Sequence, residues 1–242
     1  MRLLGHRGSP GVPRFGENTR TSFLKALENG AAGIEFDVRR CGDGTIIVLH
    51  DATIDRTTDG SGSASSLTYP QISRYDAGHR DPIPRLADIL DEFGPRCFLN
   101  IEVKETGLAR EAAQMTLMRG LRDTVAISTF DDDDQTPESA GSWNELAAIA
   151  LSIPTALLAT PQKLARLGAE HFVNAARSRN ARAIHPPKSA VTPHLIDLAH
   201  GANLAVRVWT VNDRDTARQC RDFGVDDLIT DCPGTLLKAL SS

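Results

Sequence analysis

The sequence predicts an α/β chain closed into a (β/α)8 TIM barrel. Short apolar runs suited to buried strands recur along its length, helix signals separate most of them, and the repeating units number about eight. The runs are Leu3–Leu4, Gly33–Val38, Ile46–Leu49, Cys97–Val103, Val125–Ser128, Thr155–Ala159, Ala181–Ile184, Leu204–Trp209 and Asp227–Thr230. That is one run more than a barrel of eight needs.

Between the first two runs, Asn18 or Thr19 can cap a helix whose apolar face includes Phe23, Leu24 and Leu27 and which stops at Gly30. The second and third runs are joined only by RRCGDG, too short for a helical crossover. Either they form a hairpin turning at Gly42–Gly44 or an extended return replaces the missing helix, so the barrel is expected to be distorted there. Residues 51–82 are polar and rich in Ser, Thr and Gly; following His50 directly, they read as a lid-like insertion in a single domain spanning 1–242. Farther on, Thr192–Pro193 opens a helix that ends near Gly201, and Asp213 and Gly224 bracket another. The acidic run at 131–134 reads as a solvated loop rather than a metal site.

Of the 242 residues, 40% are hydrophobic and 24% charged, enough apolar material for a sizeable core. A formal charge of −4 argues against nucleic acid, which requires a clustered positive face. No apolar stretch suits a signal peptide or a membrane span, so no stable membrane association and a cytoplasmic location are expected. Cys41, Cys97, Cys220 and Cys232 lie far apart without a C-x-x-C pair and read as reduced and structural. Phosphate-loop and dinucleotide-binding motifs, and a nucleophilic Ser or Cys elbow, are likewise missing.

An active site on this architecture sits at the C-terminal ends of the strands. His6 and Arg7 follow the first run, Glu35 and Asp37 lie on the second, His50 and Asp51 end the third, and Glu102 and Lys104 end the fourth. Residues two apart on a strand share a side, so Glu35 and Asp37 point into the barrel while Phe36 faces the helices. Glu102 and Lys104 share the same relation. Three carboxylates converging on one mouth repel each other unless a cation neutralises them, and oxygen ligands suit one Mg²⁺ or Ca²⁺. The plainer alternative is an ion-pair network with Arg7, Arg39 and Lys104. His6 and His50 differ from His79, His171, His185, His194 and His200 in standing at strand ends beside charged neighbours, although His185 also closes a strand. Two histidines beside a metal-bound phosphodiester suit acid-base catalysis, with Arg7 and Lys104 stabilising charge on the phosphoryl oxygens.

These residues resemble the glycerophosphodiester phosphodiesterase family, in its short cytoplasmic bacterial form. The matching segments are GHRG at 5–8, ENT at 17–19, GIEFDVRRCGDGTIIVLHD at 33–51, RTTDGSG at 56–62, IPRLADIL at 83–90, NIEVK at 100–104, WTVND at 209–213 and ITDCPG at 229–234. The resemblance places the family's acid/base histidines on His6 and His50 and its metal ligands on Glu35, Asp37 and Glu102. It further implies that Arg7 and Lys104 contact phosphate, that Glu17 supports the metal or His6, and that Trp209 lines the substrate pocket. The implied reaction is hydrolysis of a small glycerophosphodiester to sn-glycerol 3-phosphate and an alcohol. The expected route is attack by the glycerol 2-hydroxyl to give a cyclic phosphate, which water then opens. Two departures stand out: Gly16 replaces the family's usual Pro, which loosens the loop holding Glu17, and the segment 131–144 is longer and more acidic than the family pattern.

Two other functions fit the same residues. A phosphodiesterase of lysophospholipase D type, or one for another metabolite diester, would keep the site and change the substrate. A catalytically silent barrel binding phosphorylated metabolites would be expected to lack at least one of the five central residues, and none is missing.

Overall fold

The computed structural model describes residues 1–10, 16–131 and 142–241. Eight parallel strands close on themselves: β1 (Arg2–His6), β2 (Gly33–Arg40), β4 (Phe98–Val103), β5 (Val125–Thr129), β6 (Thr155–Leu158), β7 (Ala183–His185), β8 (Ala205–Val208) and β9 (Asp227–Thr230). Pairing of β1 with both β9 and β2 makes the closure.

The third run does not enter the barrel. β3 (Ile46–Val48) pairs antiparallel with the overhanging end of β2, Val38 opposite Val48 and Arg40 opposite Ile46. A hairpin therefore joins residues 33–50. Its turn is closed by Cys41 N–H donating to the Thr45 carbonyl at 3.0 Å, with Gly44 at φ +89, a conformation that favours glycine.

Helices cover the outside. α1 (Arg20–Glu28) is capped by Thr19, whose hydroxyl accepts from Ser22 N–H at 3.2 Å while Ser22 Oγ accepts from Thr19 N–H at 3.3 Å. Its Phe23 packs 5.5 Å from Phe36 and 5.7 Å from Phe93, so Phe36 faces the helices as the alternation on β2 predicts. Thr192 and Asp213 cap the helices Pro193–Gly201 and Arg214–Asp222, at the starts the sequence suggests.

Residues 51–82 hold a 3₁₀ turn at Ala64–Ser66 and the helix α2 (Tyr69–Ile72). A small core of their own joins Ile54, Ala64, Ile72 and Ala77 to Ile47 and Leu49 of the hairpin. The insertion is thus packed onto the hairpin rather than hung from it. α3 (Leu86–Phe93) then makes the crossover from β2 to β4.

At the N-terminal end of the barrel, Asp227 receives Arg2 Nε and Nη2 at 2.7 and 2.8 Å and Arg207 Nε at 2.8 Å. The two guanidiniums also lie 5.1 and 4.9 Å from the Phe98 ring centroid. No helix among the described residues is long and apolar enough to cross a membrane.

Candidate active site

Strand alternation turns Glu35, Asp37 and Glu102 into the mouth of the barrel, where one carboxylate oxygen from each lies within 4.8 Å of the others. All three are buried. Asp37 has two cationic neighbours, Arg7 Nε and Lys104 Nζ, each at 3.2 Å, and accepts from Asn18 Nδ2 at 3.0 Å. Glu102 shares the Lys104 ammonium. Glu35 accepts only from the Arg7 backbone N–H, at 3.3 Å, and has no ion pair with a side chain among the described residues.

That imbalance appears in the proton affinities. Burial works against ionisation of Asp37, but Lys104 and Arg7 overcome it and hold its carboxyl well below the usual range. Burial, reinforced by the Asp37 carboxylate, pushes Glu35 far above it. An ion-pair network among these groups therefore satisfies two acids and leaves the third. Arg39 takes no part in it, since its guanidinium pairs with Glu105 at 3.4 Å and donates to the His50 carbonyl at 2.7 Å. Three buried carboxylates within reach of one another, one without an ion-pair partner among the described residues, fit a hard divalent cation.

His6 ends β1, and its Nδ1 lies 2.6 Å from Asp231 Oδ1, just beyond β9. Asn212 fixes Asp231 in turn: its Nδ2 donates to Oδ2 at 2.5 Å, and its Oδ1 accepts the Asp231 backbone N–H at 2.9 Å. His50 arrives differently. Because β3 runs antiparallel, the chain overshoots the mouth on β2 and returns on β3, with Leu49 N–H bonded to the Asp37 carbonyl at 3.0 Å. His50 therefore does not end a barrel strand, as its apolar run alone suggests; it follows the return strand of a hairpin. Its Nδ1 lies 2.7 Å from Asp51 Oδ1.

In both pairs the aspartate is held below its usual range. For Asp51 the Arg56 hydrogen bond is the chief cause; for Asp231, burial is outweighed by His6. An ionised carboxylate only accepts, so both imidazoles carry a proton on Nδ1 and keep Nε2 for exchange. Burial disfavours the imidazolium in both, yet Asp231 and Glu35 bring His6 to a net rise, while His50 stays lowered.

Arg7 sits in the left-handed region at φ +52, its backbone N–H on the Glu35 carbonyl at 2.7 Å. Next to it Gly8, at φ +89, lies where a Cβ would fall 2.3 Å from Ser22 Oγ. Glycine is required for α1 to approach the turn this closely. Arg7 Nη1 donates to Glu17 at 2.8 Å, and Arg56 donates to both oxygens of the same carboxylate.

His6, Arg7, Glu35, His50, Glu102, Lys104 and Trp209 all line one cavity of about 390 Å³. Its far wall is apolar, with Phe130 edge-on to Trp209 at 5.5 Å and Leu158 and Pro161 beside them. His185 reaches the floor but is fully buried. Its Nε2 faces Arg207 Nη1 at 3.3 Å, and burial keeps it neutral. His79, His171, His194 and His200 lie outside this cavity. Of the acidic run at 131–134, Asp131 pairs with Lys163 at 2.7 Å, while 132–134 lie outside the described residues. Sequence reasoning misses Asp231, Asn212 and Arg56, although ITDCPG, WTVND and RTTDGSG contain them.

The fold is a (β/α)8 barrel, and its sequence relatives place it among the phosphoric diester hydrolases. The chain matches the Glycerophosphoryl diester phosphodiesterase family over residues 6–235, and it belongs to that family. It is 30% identical to the glycerophosphodiester phosphodiesterase of Caldanaerobacter subterraneus, over 97% of this chain and 96% of the relative. The crystal structure of the Agrobacterium tumefaciens glycerophosphodiester phosphodiesterase is similar with a TM-score of 0.81 and 25% identity, covering 98% and 99% of the two chains. A phosphodiesterase of Oleispira antarctica, solved with the product sn-glycerol-3-phosphate, shares the fold at a TM-score of 0.77 and 22% identity, covering 100% of this chain and 97% of that one.

Proposed function

We propose that this chain hydrolyses glycerophosphodiesters to sn-glycerol 3-phosphate and an alcohol, using His6 and His50 for proton transfer and one Mg²⁺ or Ca²⁺ held by Glu35, Asp37 and Glu102. The carrying observation is that two imidazoles, each oriented by an aspartate, share a cavity with three buried carboxylates, one of which has no ion-pair partner among the described residues. The product captured on the Oleispira antarctica protein is the one proposed here. The chain acts as one barrel domain with 51–82 as its insertion, and works in the cytoplasm.

One histidine takes the proton of the glycerol 2-hydroxyl through Nε2 as that oxygen bonds to phosphorus. The other gives its proton to the departing alkoxide as the second phosphorus–oxygen bond breaks. The roles then reverse: water loses its proton, attacks phosphorus, and the bond to the 2-oxygen breaks, leaving sn-glycerol 3-phosphate. Arg7 and Lys104 bind the phosphoryl oxygens, and Trp209 with Phe130 walls the substrate. The bound cation supplies Lewis-acid stabilisation of phosphoryl charge.

The test incubates purified protein with glycerophosphocholine and a panel of natural diesters, with Mg²⁺, with Ca²⁺ and with EDTA, and assays glycerol 3-phosphate. Cation-dependent product is expected. No product from any diester with either cation would leave a silent binding barrel, and product from lysolipids alone would move the activity to the lysophospholipase D type. A diester lacking the 2-hydroxyl should resist cleavage; full-rate hydrolysis of it would exclude the cyclic route.

A further inference from the structure

Arg56 lies in the insertion and is half exposed, a position where an ordinary ion pair contributes little. Its contacts are not ordinary. Toward Asp51, Nε reaches Oδ2 at 2.7 Å and Nη2 reaches Oδ1 at 3.0 Å. Toward Glu17, Nη1 reaches Oε2 at 2.9 Å and Nη2 reaches Oε1 at 2.6 Å. One guanidinium thus forks onto two carboxylates at once, a geometry that fixes direction as well as distance.

Each carboxylate holds a group of the mouth. Asp51 Oδ1 is the partner of His50 Nδ1 at 2.7 Å, and Glu17 Oε1 is the partner of Arg7 Nη1 at 2.8 Å. Asp51 opens the insertion, whereas Glu17 belongs to the loop between β1 and α1, so the fork joins two separate stretches of chain at the mouth itself. We propose that Arg56 is a positioning residue. By clamping Asp51 to Glu17 it fixes the ring of His50 and the guanidinium of Arg7 relative to each other across the mouth.

The inference rests on the acid-base role proposed for His50. Its physical content is orientation. Without the fork, the Asp51 carboxylate can rotate, Nδ1–H loses a fixed acceptor, and the ring is no longer confined to one tautomer. Arg7 keeps Asp37 but loses the anchored second carboxylate.

The experiment compares Arg56→Met, Arg56→Lys, Asp51→Asn and the Arg56→Met/Asp51→Asn double variant, using the full chain with Mg²⁺ and glycerophosphocholine. Imidazole ¹⁵N shifts are recorded on histidine-labelled protein, with the His50 signals assigned through a His50→Ala sample. Arg56→Met should lower kcat roughly 10- to 100-fold. Arg56→Lys should recover part of this, because an ammonium can meet one carboxylate but cannot fork onto two. The double variant should lose little more than the worse single variant, and the His50 shifts should move from one tautomer to a mixture. Losses that multiply, with His50 tautomers unchanged, would overturn the proposal and leave Arg56 a tie between insertion and barrel. If the wild type cleaves no diester, the proposed function fails, while the ¹⁵N shifts still decide the clamp: a change in Arg56→Met supports it, and none overturns it.

Discussion

Both ends of the barrel bury charge, but only at the N-terminal end does each charged group of the cluster have an ion-pair partner among the described residues. At the N-terminal end the two oxygens of Asp227 are shared between Arg2 and Arg207, and both arginines flank Phe98. At the mouth, two cationic side chains face three buried carboxylates, and Glu35 is left out. The difference separates a structural use of buried charge from a functional one. A cluster that completes itself can only hold the fold together, whereas an incomplete one has affinity to spare for something else.

The closed end should therefore respond to mutation through stability. Asp227→Ala leaves Arg207 buried without its carboxylate and should cost about 3–5 kcal/mol. That lowers the melting temperature by on the order of 10 °C for a chain of this size, measurable by calorimetry. Asp227 is driven up by burial but held lower overall by Arg2 and Arg207. With a depressed folded value the unfolded chain binds the proton first, so this contribution is present above the usual aspartate range and lost as pH falls through the depressed value. A variant as stable as wild type, with an unchanged acid limb, would erase the contrast between the two ends.

The open end should respond through rate. His6→Ala and His50→Ala should each lower kcat by roughly 10²-fold or more with little change in melting temperature, and His171→Ala should leave kcat as it is. Since His6 is raised and His50 lowered, kcat/KM should follow a bell in pH, with limbs on either side of the ordinary histidine value. Loss of the alkaline limb in the His6 variant and of the acid limb in the His50 variant would identify His6 as the proton donor and His50 as the acceptor. Equal losses from all three histidine variants would mean that mouth and periphery do not differ.

Only half of the contrast between the ends is legible in the sequence. Alternation on a strand is local, so placing Glu35, Asp37 and Glu102 on the inner face needs only their spacing. The pairing of β3 is not local. Whether RRCGDG returns as a hairpin depends on β4 taking the other edge of β2, and His50 owes its place at the mouth to that return. Asp231 and Asn212 carry no local signal for a related reason. Asp231 meets His6 only because β9 lies beside β1, a neighbour relation created when the barrel closes, and Asn212 reaches the site only through Asp231. Arg56 is hidden for the same reason, since its two carboxylates come from different loops, Glu17 before α1 and Asp51 after β3.

The subtlest prediction concerns Glu35 alone. In cation-free protein its folded value is raised by burial and Asp37, so the folded chain holds a proton that the unfolded chain has released. Stability should then fall as pH rises from the usual glutamate range toward the raised value, opposite in slope to the Asp227 effect. Glu35→Gln removes the ionisable group and should flatten this decline, leaving the variant more stable than wild type at neutral pH by on the order of 1 kcal/mol or more and hence melting higher. Added Mg²⁺ or Ca²⁺ should reverse the order. Wild type then gains about 2.7 kcal/mol at a hundred times the dissociation constant, and the variant, with a ligand missing, gains less. Melting curves with EDTA and with cation would show the crossing. If the curves keep the same order in both, Glu35 is not where the mouth stores its affinity for a cation.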